Sequence, residues 1–513
     1  MSVSNPARSP NRLAAALTSD LALLLYLALG RIFLHALTNG QYGFHRDELA
    51  MLDDARRLAW GYVAYPPLTP FVTRLAFELF GTSLVGLRLP SVLAQAAAMV
   101  LAGLMARELG GKRPAQLLAS VATAVAPLSL VQATMFQYVS FDYLWWVLTA
   151  YLVIRLLKSD DPRWWLGIGA TVGLGLMTKY TMAYLVAGLI VGVLVTRARR
   201  YLLTPWPWAA AGIALLIMLP NLAWQAKHDF ISLDFLTSIH ARDVAIGRTA
   251  GYLTDQLFVP ALPVTVPLWI AGLYFYLLAP AGRHYRVLGW MWVIPFGLFL
   301  VTQGRGYYLA PAYPMLLAAG SVLWERWVTS LSAGWARIVR WGTWTAVIAL
   351  GVAMGALLLP MAPINSGWWQ VSIGMNENLA EEIGWPELVR TVAGIYNALP
   401  ETERAHAGIL AANYGEAGAI DLYGPAYGLP PAISAVNSYW LHGYPEPPPD
   451  TLVLVGVPTD LAQQIFRDCQ AAGRVSNRYG VANEESTAYP VIYVCGGPRI
   501  PWPEFWAQYR YFG

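Results

Sequence analysis

The sequence predicts an all-α polytopic membrane protein with a small α/β domain at its C-terminal end. Three observations predict it. Of the 513 residues 57% are hydrophobic and only 12% charged, against roughly 25% charged in a soluble domain. Apolar runs long enough to cross a bilayer, about 20 residues each, recur as far as Met361. Beyond about residue 362 they give way to short apolar stretches that alternate with helical patterns, the signature of a small α/β layer. The 22 Trp and 28 Tyr suit the aromatic belts of two membrane interfaces. The net charge of +4 sits in short basic loops. No basic run is interleaved with aromatics, so nothing points to nucleic acid.

Met1 to Arg12 is polar and basic, and the apolar run after it lacks a small-x-small cleavage site, so it reads as a retained first helix. That first span runs from about Leu13 to Leu37. The loop 38–81 is too polar to span. Further spans are expected over Ser83–Ala106, Ala115–Met135 and Tyr143–Leu157. Apolar sequence from Trp164 to Val195, interrupted at Thr178-Lys179-Tyr180-Thr181, reads as two short spans. Trp206–Trp224, Phe258–Leu278, Val287–Thr302, Tyr307–Leu323 and Trp341–Met361 complete eleven. Basic residues mark the cytoplasmic side. Arg8 and Arg12, Lys112-Arg113, Lys158 with Arg163, Arg197 to Arg200, Arg283 with Arg286, and Arg337 with Arg340 all fall on one side under this count. The loop 38–81, the polar stretch 225–255 and the tail then lie outside. The chain divides into a membrane domain, 1–362, and a tail domain, 363–513. In the tail, Ala407–Ala411, Thr451–Gly456 and Tyr489–Cys495 read as strands, with a helix from Thr459 through Arg467.

Phe44-His45-Arg46-Asp47-Glu48-Leu49 is the polar cluster that most needs a reason. From Asp47 to Trp60 the apolar residues Met51, Leu52, Ala55, Leu58 and Ala59 form one helical face. Asp53, Asp54, Arg56 and Arg57 fall mostly on the other, with Asp53–Arg57 an i,i+4 pair. The pattern predicts a helix lying on the membrane surface, with Asp47 and Glu48 at its N-terminus, where the dipole favours carboxylates. Pro66-Pro67 then leads into a second surface helix, Thr69–Phe80. Asp142 lies on the same outer side, where an acid in an apolar helix is costly. So do Lys179 and Arg305, two cations that run against the positive-inside trend; a lipid phosphate is the obvious anion for them. Plain helix caps (Asp47, Asp142) and snorkelling anchors (Lys179, Arg305) are the structural alternatives. Acids and cations gathered on one face of an apolar bundle suit attack on a sugar whose leaving group is a lipid phosphate. The acid deprotonates an acceptor hydroxyl, and the cations stabilise the departing phosphate.

The Phe44–Leu49 segment, Trp60-Gly61-Tyr62 and Tyr65-Pro66-Pro67-Leu68-Thr69-Pro70 resemble the first outer loop of bacterial protein-mannosyltransferase-like (PMT-like) glycosyltransferases. So do Gly175–Thr181, Tyr307–Pro314 and, in the tail, Asn413-Tyr414-Gly415-Glu416-Ala417-Gly418. The resemblance is to a superfamily that includes dolichyl-phosphate-mannose–protein mannosyltransferases and the lipid A aminoarabinose transferase. It implies the GT-C fold and an inverting transfer from a polyprenyl-phosphate sugar to an acceptor hydroxyl at the periplasmic face of the bacterial inner membrane. By position, Asp47 matches the family's catalytic acid, Glu48 its neighbour and Asp142 a second functional acid. The aminoarabinose transferase has a lysine before its Pro-Pro-Leu where this chain has Tyr65. That leaves Arg46, Lys179 or Arg305 to hold the phosphate, with His45 and Tyr65 as further substrate contacts. Some GT-C enzymes need a divalent cation. His45, Asp47 and Glu48 offer ligand atoms, but no spacing compels a site, and no metal is predicted. The tail is expected to help select an envelope acceptor, glycan, lipid or protein, through Glu416, Asn437 and Tyr439. Cys469 and Cys495, in an oxidising compartment, are expected to form a disulfide, two buried thiols being the alternative. A transporter or flippase for a lipid-linked sugar is the rival reading; it predicts inverted repeats, and none is found.

Overall fold

The structure is a computed structural model that describes residues 16–513. The basic N-terminal segment with Arg8 and Arg12, and the expected start of the first span at Leu13, lie outside the described residues.

Six of the eleven expected spans are single helices long and apolar enough to cross a membrane: Asp20–Thr38, Leu84–Glu108, Tyr138–Ser159, Trp206–Lys227, Pro280–Val301 and Ala333–Leu358. Two more are bent pairs. Met182–Val195 turns by 98° into Arg197–Leu203, and Tyr252–Phe258 by 88° into Pro263–Leu277, which brings the number to as many as eight. The remaining three depart from simple spans. The stretch expected over Ala115–Met135 is divided into Arg113–Ala124 and Pro127–Gln132, because proline at 127 supplies no N–H to continue the first helix. Trp164–Leu176 is apolar but only 13 residues long. Tyr313–Ser330 is a helix buried on nearly every face. It meets Val266–Leu277 so closely that a Cβ on Gly272 would lie 2.0 Å from the Leu316 carbonyl oxygen, and one on Gly320 1.8 Å from that of Leu268. Small residues set this spacing, as in membrane helix pairs generally.

The outer loop forms two helices, Arg46–Arg56 and Leu68–Phe80. The first does not lie on a membrane surface with its polar face free. Asp53 and Asp54 are buried because the C-terminal domain covers that face. Arg56 donates to the Asp421 carbonyl oxygen at 2.9 Å, and the Asp53–Arg57 pair (3.4 Å) is joined by His442. Sequence periodicity shows a polar face but not what covers it.

The C-terminal domain is built on a five-stranded mixed sheet of order β2-β1-β3-β5-β4. Its strands are β1 (Ala407–Ala411), β2 (Ala432–Ile433), β3 (Thr451–Val455), β4 (Phe466–Arg474) and β5 (Val491–Pro498). β1 is parallel to β2 and β3, and β5 antiparallel to β3 and β4. The three expected strands are β1, β3 and β5. β2 is two residues long, and β4 alternates too little to be read. The helix expected through Arg467 stops at Ile465, so Cys469 lies on β4 itself. It is bonded to Cys495 on the neighbouring β5.

The cysteines are 26 residues apart, and closing a loop of that length is worth about 3–4 kcal/mol in the chain-entropy account. Cys469→Ser is expected to lower the thermal unfolding midpoint of the C-terminal domain in detergent, as reductant does to the native protein. Equal midpoints with and without reductant would remove that role.

Candidate active site

The site begins with a buried arginine. Arg88, inside the Leu84–Glu108 helix, is fully buried, and so is Glu48. Arg88 Nε and Nη2 donate to the two Glu48 carboxylate oxygens at 2.8 and 2.7 Å. The same guanidinium donates to the carbonyls of Asn39 and Gly43, at 2.9 and 2.8 Å, and lies 3.4 Å from Glu382. Glu48 in turn accepts from the backbone N–H of His45 (2.9 Å) and of Phe136 (2.7 Å). Its oxygens are therefore spent on structure. Glu48 does not line the cavity. It fixes the backbone of its neighbour Asp47.

Asp47 does face the cavity, a space of about 2230 Å³ between the membrane helices and the C-terminal domain. Its side chain keeps 28% exposure. Oδ1 accepts from the Tyr414 hydroxyl at 2.9 Å, and Oδ2 accepts from the Gln137 amide. His45 Nδ1 accepts from the Asp47 N–H at 3.2 Å, capping the helix, while the Glu48 carboxylate completes a capping box. Burial pushes the His45 pKa down, with Arg46 adding to that against the pull of Asp47. A neutral ring is what the acceptor role requires. His45 thus lines the cavity chiefly as a cap.

The expected cations differ in what holds them. Lys179 Nζ sits in a cage of tyrosine rings, 4.4 Å from the centroid of Tyr308, 5.1 Å from Tyr307 and 5.5 Å from Tyr138. No carboxylate among the described residues lies within ion-pair distance of it. Cation–π contact of this kind is worth about 0.5–2 kcal/mol and leaves the charge open to an anion. Arg305, by contrast, is paired with Asp243 (Nε to Oδ2, 2.6 Å). Asp243 also lies 3.8 Å from Arg248 and 4.0 Å from Arg242. Three arginines share one carboxylate, and all four residues line the same cavity as Lys179. Arg46 is engaged by Glu484 of the C-terminal domain and also lines the cavity.

Asp142 is buried away from the cavity. It accepts from Thr181 Oγ1 at 3.0 Å and from Trp146 Nε1 at 3.1 Å, and so ties the segment after Lys179 to its own helix, Tyr138–Ser159. The Tyr65 hydroxyl donates to Asp54, and its ring packs on Tyr62 and Tyr138. Glu416 accepts from the N–H groups of Ala412 and Asn413, both at 3.1 Å. Asn437 is bonded to Gly513, and Tyr439 donates to Asp421. All three border the cavity, each with a partner inside the protein.

Sequence reasoning missed Arg88, Gln137, Arg242, Asp243, Arg248, Tyr307, Tyr308 and Tyr414 as site residues. An arginine within an apolar span is a signal in itself, and Arg88 could have been found by it. The others show only once the chain is folded. His45, Asp47 and Glu48 do not form a common ligand set, since the Glu48 oxygens are consumed by Arg88 and the backbone and His45 Nδ1 by the helix cap. No group of three or more His, Cys, Asp or Glu among the described residues is arranged to hold a metal ion.

Comparison with known proteins agrees with this architecture. A family model described as dolichyl-phosphate-mannose-protein mannosyltransferase matches residues 64–224. The lipopolysaccharide core galacturonosyltransferase RgtB of Rhizobium johnstonii is 27% identical over 41% of this chain and 43% of its own length. The undecaprenyl phosphate-alpha-4-amino-4-deoxy-L-arabinose arabinosyl transferase 1 of Pseudomonas fluorescens is 28% identical over 54% of this chain and 52% of its own. The matches thus span about half the length of these two relatives. The crystal structure of ArnT from Cupriavidus metallidurans in the apo state superposes with a TM-score of 0.58 at 17% identity, covering 94% of this chain and 98% of that one. The same protein bound to undecaprenyl phosphate gives 0.56 at 16%, covering 93% and 97%. The chain is similar to that mannosyltransferase family over residues 64–224 and has the GT-C fold.

Two predictions follow from the geometry. Removing one partner of a buried ion pair costs about 3–5 kcal/mol, so Arg88→Met is expected to lower the unfolding midpoint in detergent far more than Arg74→Met at the exposed Arg74–Glu78 pair; similar small losses would sink the anchoring role. Burial also raises carboxyl groups where the C-terminal domain meets the loop, Glu416 to about 7 and Glu382 and Glu485 to about 8. An acid raised on folding binds its proton more tightly in the native state. Its contribution is complete below the unfolded value of about 4.3 and is lost as pH rises through the folded one. The midpoint is therefore expected to fall between pH 5 and pH 8, and a flat or rising profile would contradict this.

Proposed function

We propose that this chain is an integral-membrane inverting glycosyltransferase. It moves a sugar from a polyprenyl-phosphate donor to an acceptor hydroxyl, with its site on the periplasmic side of a bacterial inner membrane. The observation that carries the reading is the pairing, in one cavity, of a half-open carboxylate with a cation that has no carboxylate partner among the described residues: Asp47 and Lys179. The relatives support the donor class. One is named as an arabinosyl transferase that uses an undecaprenyl phosphate sugar, and the fold neighbour has been crystallised with undecaprenyl phosphate. The basic loops support the orientation.

Asp47 takes the proton of the acceptor hydroxyl. The oxygen attacks the anomeric carbon from the face opposite the phosphate, and inversion follows from that geometry. The bond from the anomeric carbon to the phosphate oxygen breaks, and its electron pair leaves with the polyprenyl phosphate. Lys179, with the phenols around it, meets the charge that develops there. Arg305 adds to the field from beside Asp243. Gln137 and Tyr414 hold the Asp47 oxygens so that one edge of the carboxylate stays turned to the acceptor. Glu48 and Asp142 act through the backbone segments they fix.

Incubation of the purified protein with a panel of polyprenyl-phosphate sugars and an envelope extract, followed by mass spectrometry of free polyprenyl phosphate, tests this. The native protein is expected to release it. Asp47→Asn is expected to lose about 10²–10⁴ in rate while donor KM stays near the native value. Lys179→Met is expected to lose donor affinity and rate together. Equal release by native and Asp47→Asn protein would remove Asp47 as the base.

A further inference from the structure

The tail segment Asn413-Tyr414-Gly415-Glu416-Ala417-Gly418 has a role in the site that its sequence does not announce. It opens the Tyr414–Tyr423 helix, which Asn413 and Glu416 cap reciprocally. That helix lies directly on the Arg46–Arg56 helix. A Cβ on Gly415 would meet the Arg46 Cβ at 2.6 Å, and one on Gly418 would meet the Leu49 backbone at 2.8 Å. Two glycines three residues apart therefore let the helices touch along one face. The contact carries the Tyr414 hydroxyl to Asp47, across 367 residues of sequence, at 2.9 Å. The opposite oxygen of Asp47 is held by Gln137, from the membrane domain.

We infer that the C-terminal domain completes the active site, and that Tyr414 is the positioning residue by which it does so, fixing the rotation of the Asp47 carboxylate through Oδ1. This rests on the transfer reaction proposed above. With Tyr414 on one oxygen and Gln137 on the other, the carboxylate cannot swing. The carboxylate still borders the cavity, at 28% exposure. The domain is then part of the catalytic unit, and it need not bind the acceptor itself to be required. Asp47 is faced by His45 and Arg46 from its own helix, Tyr65 from the loop, Tyr138 from the following span and Tyr414 from the tail, with Glu484 behind Arg46. Tyr414 donates directly to it.

The test is the polyprenyl-phosphate release assay on the full-length protein and its Tyr414→Phe and Gly418→Ala variants. Tyr414→Phe keeps the ring and its packing. It is expected to lower kcat roughly ten- to a hundredfold with donor KM within about twofold. Gly418→Ala keeps the phenol but pushes the helix off Leu49, and is expected to reproduce the loss of kcat at a near-native KM. Unchanged unfolding midpoints would show that Tyr414→Phe is folded. A native kcat in Tyr414→Phe overturns the inference while leaving the transferase reading intact, and so does loss of rate in Gly418→Ala alone. No release by the native protein from any donor overturns both.

Discussion

Arg88 is the residue on which the arrangement depends. A guanidinium at full burial must satisfy every donor or cost several kcal/mol. Its hydrogen bonds gather groups from otherwise separate parts of the chain, the end of the first span through the Asn39 and Gly43 carbonyls and the loop helix through Glu48, while Glu382 of the C-terminal domain lies 3.4 Å away. Glu48 passes the constraint on to Phe136, two residues from the span that begins at Tyr138. Everything that borders Asp47 is thus referred to one planar cation. Its forked donors suit two carboxylates and two carbonyls in a way that the compact charge of lysine would not.

Around that anchor the charged groups sort by what already occupies them. Arg46 and Arg305 each have a carboxylate, from Glu484 and Asp243, and among the described residues Lys179 has aromatic faces in place of one. Asp142 and Glu48 have every oxygen engaged within the protein, and Asp47 alone of these acids keeps an opening to the cavity. A charged residue is ready for chemistry in proportion to how little the fold has asked of it. By that measure Asp47 and Lys179 stand apart from the rest.

Much of the fold was legible. Apolar runs and basic loops gave a membrane bundle, and three of the five strands were plain because β1, β3 and β5 are the buried ones. β4 was hidden because as an exposed edge it has no apolar alternation. The single spans proved harder than the bundle, since bends at 196 and after 258 break helices without breaking hydropathy. In the site, Asp47, Lys179 and Arg305 were conspicuous as charges in the wrong solvent. Asp47 and Glu48 looked equivalent as neighbours, but successive residues on a helix diverge by about 100°, so one faces the cavity and the other the core. Tyr414 was invisible as a site residue. Its meaning lies in a contact between helices hundreds of residues apart, and a tyrosine in a capped helix start gives no sign of what it will touch.

The staple between Cys469 and Cys495 bears on how the C-terminal domain can meet anything else. A sheet recruits extended peptides through a free, straight edge strand. Here one edge is β2, two residues long, and the other is β4, whose register against β5 shifts three times and which is bonded covalently to it. Both edges are poor templates for a further strand. Strand addition is thereby disfavoured at both edges of the sheet. What the domain turns toward the cavity is its helices and loops.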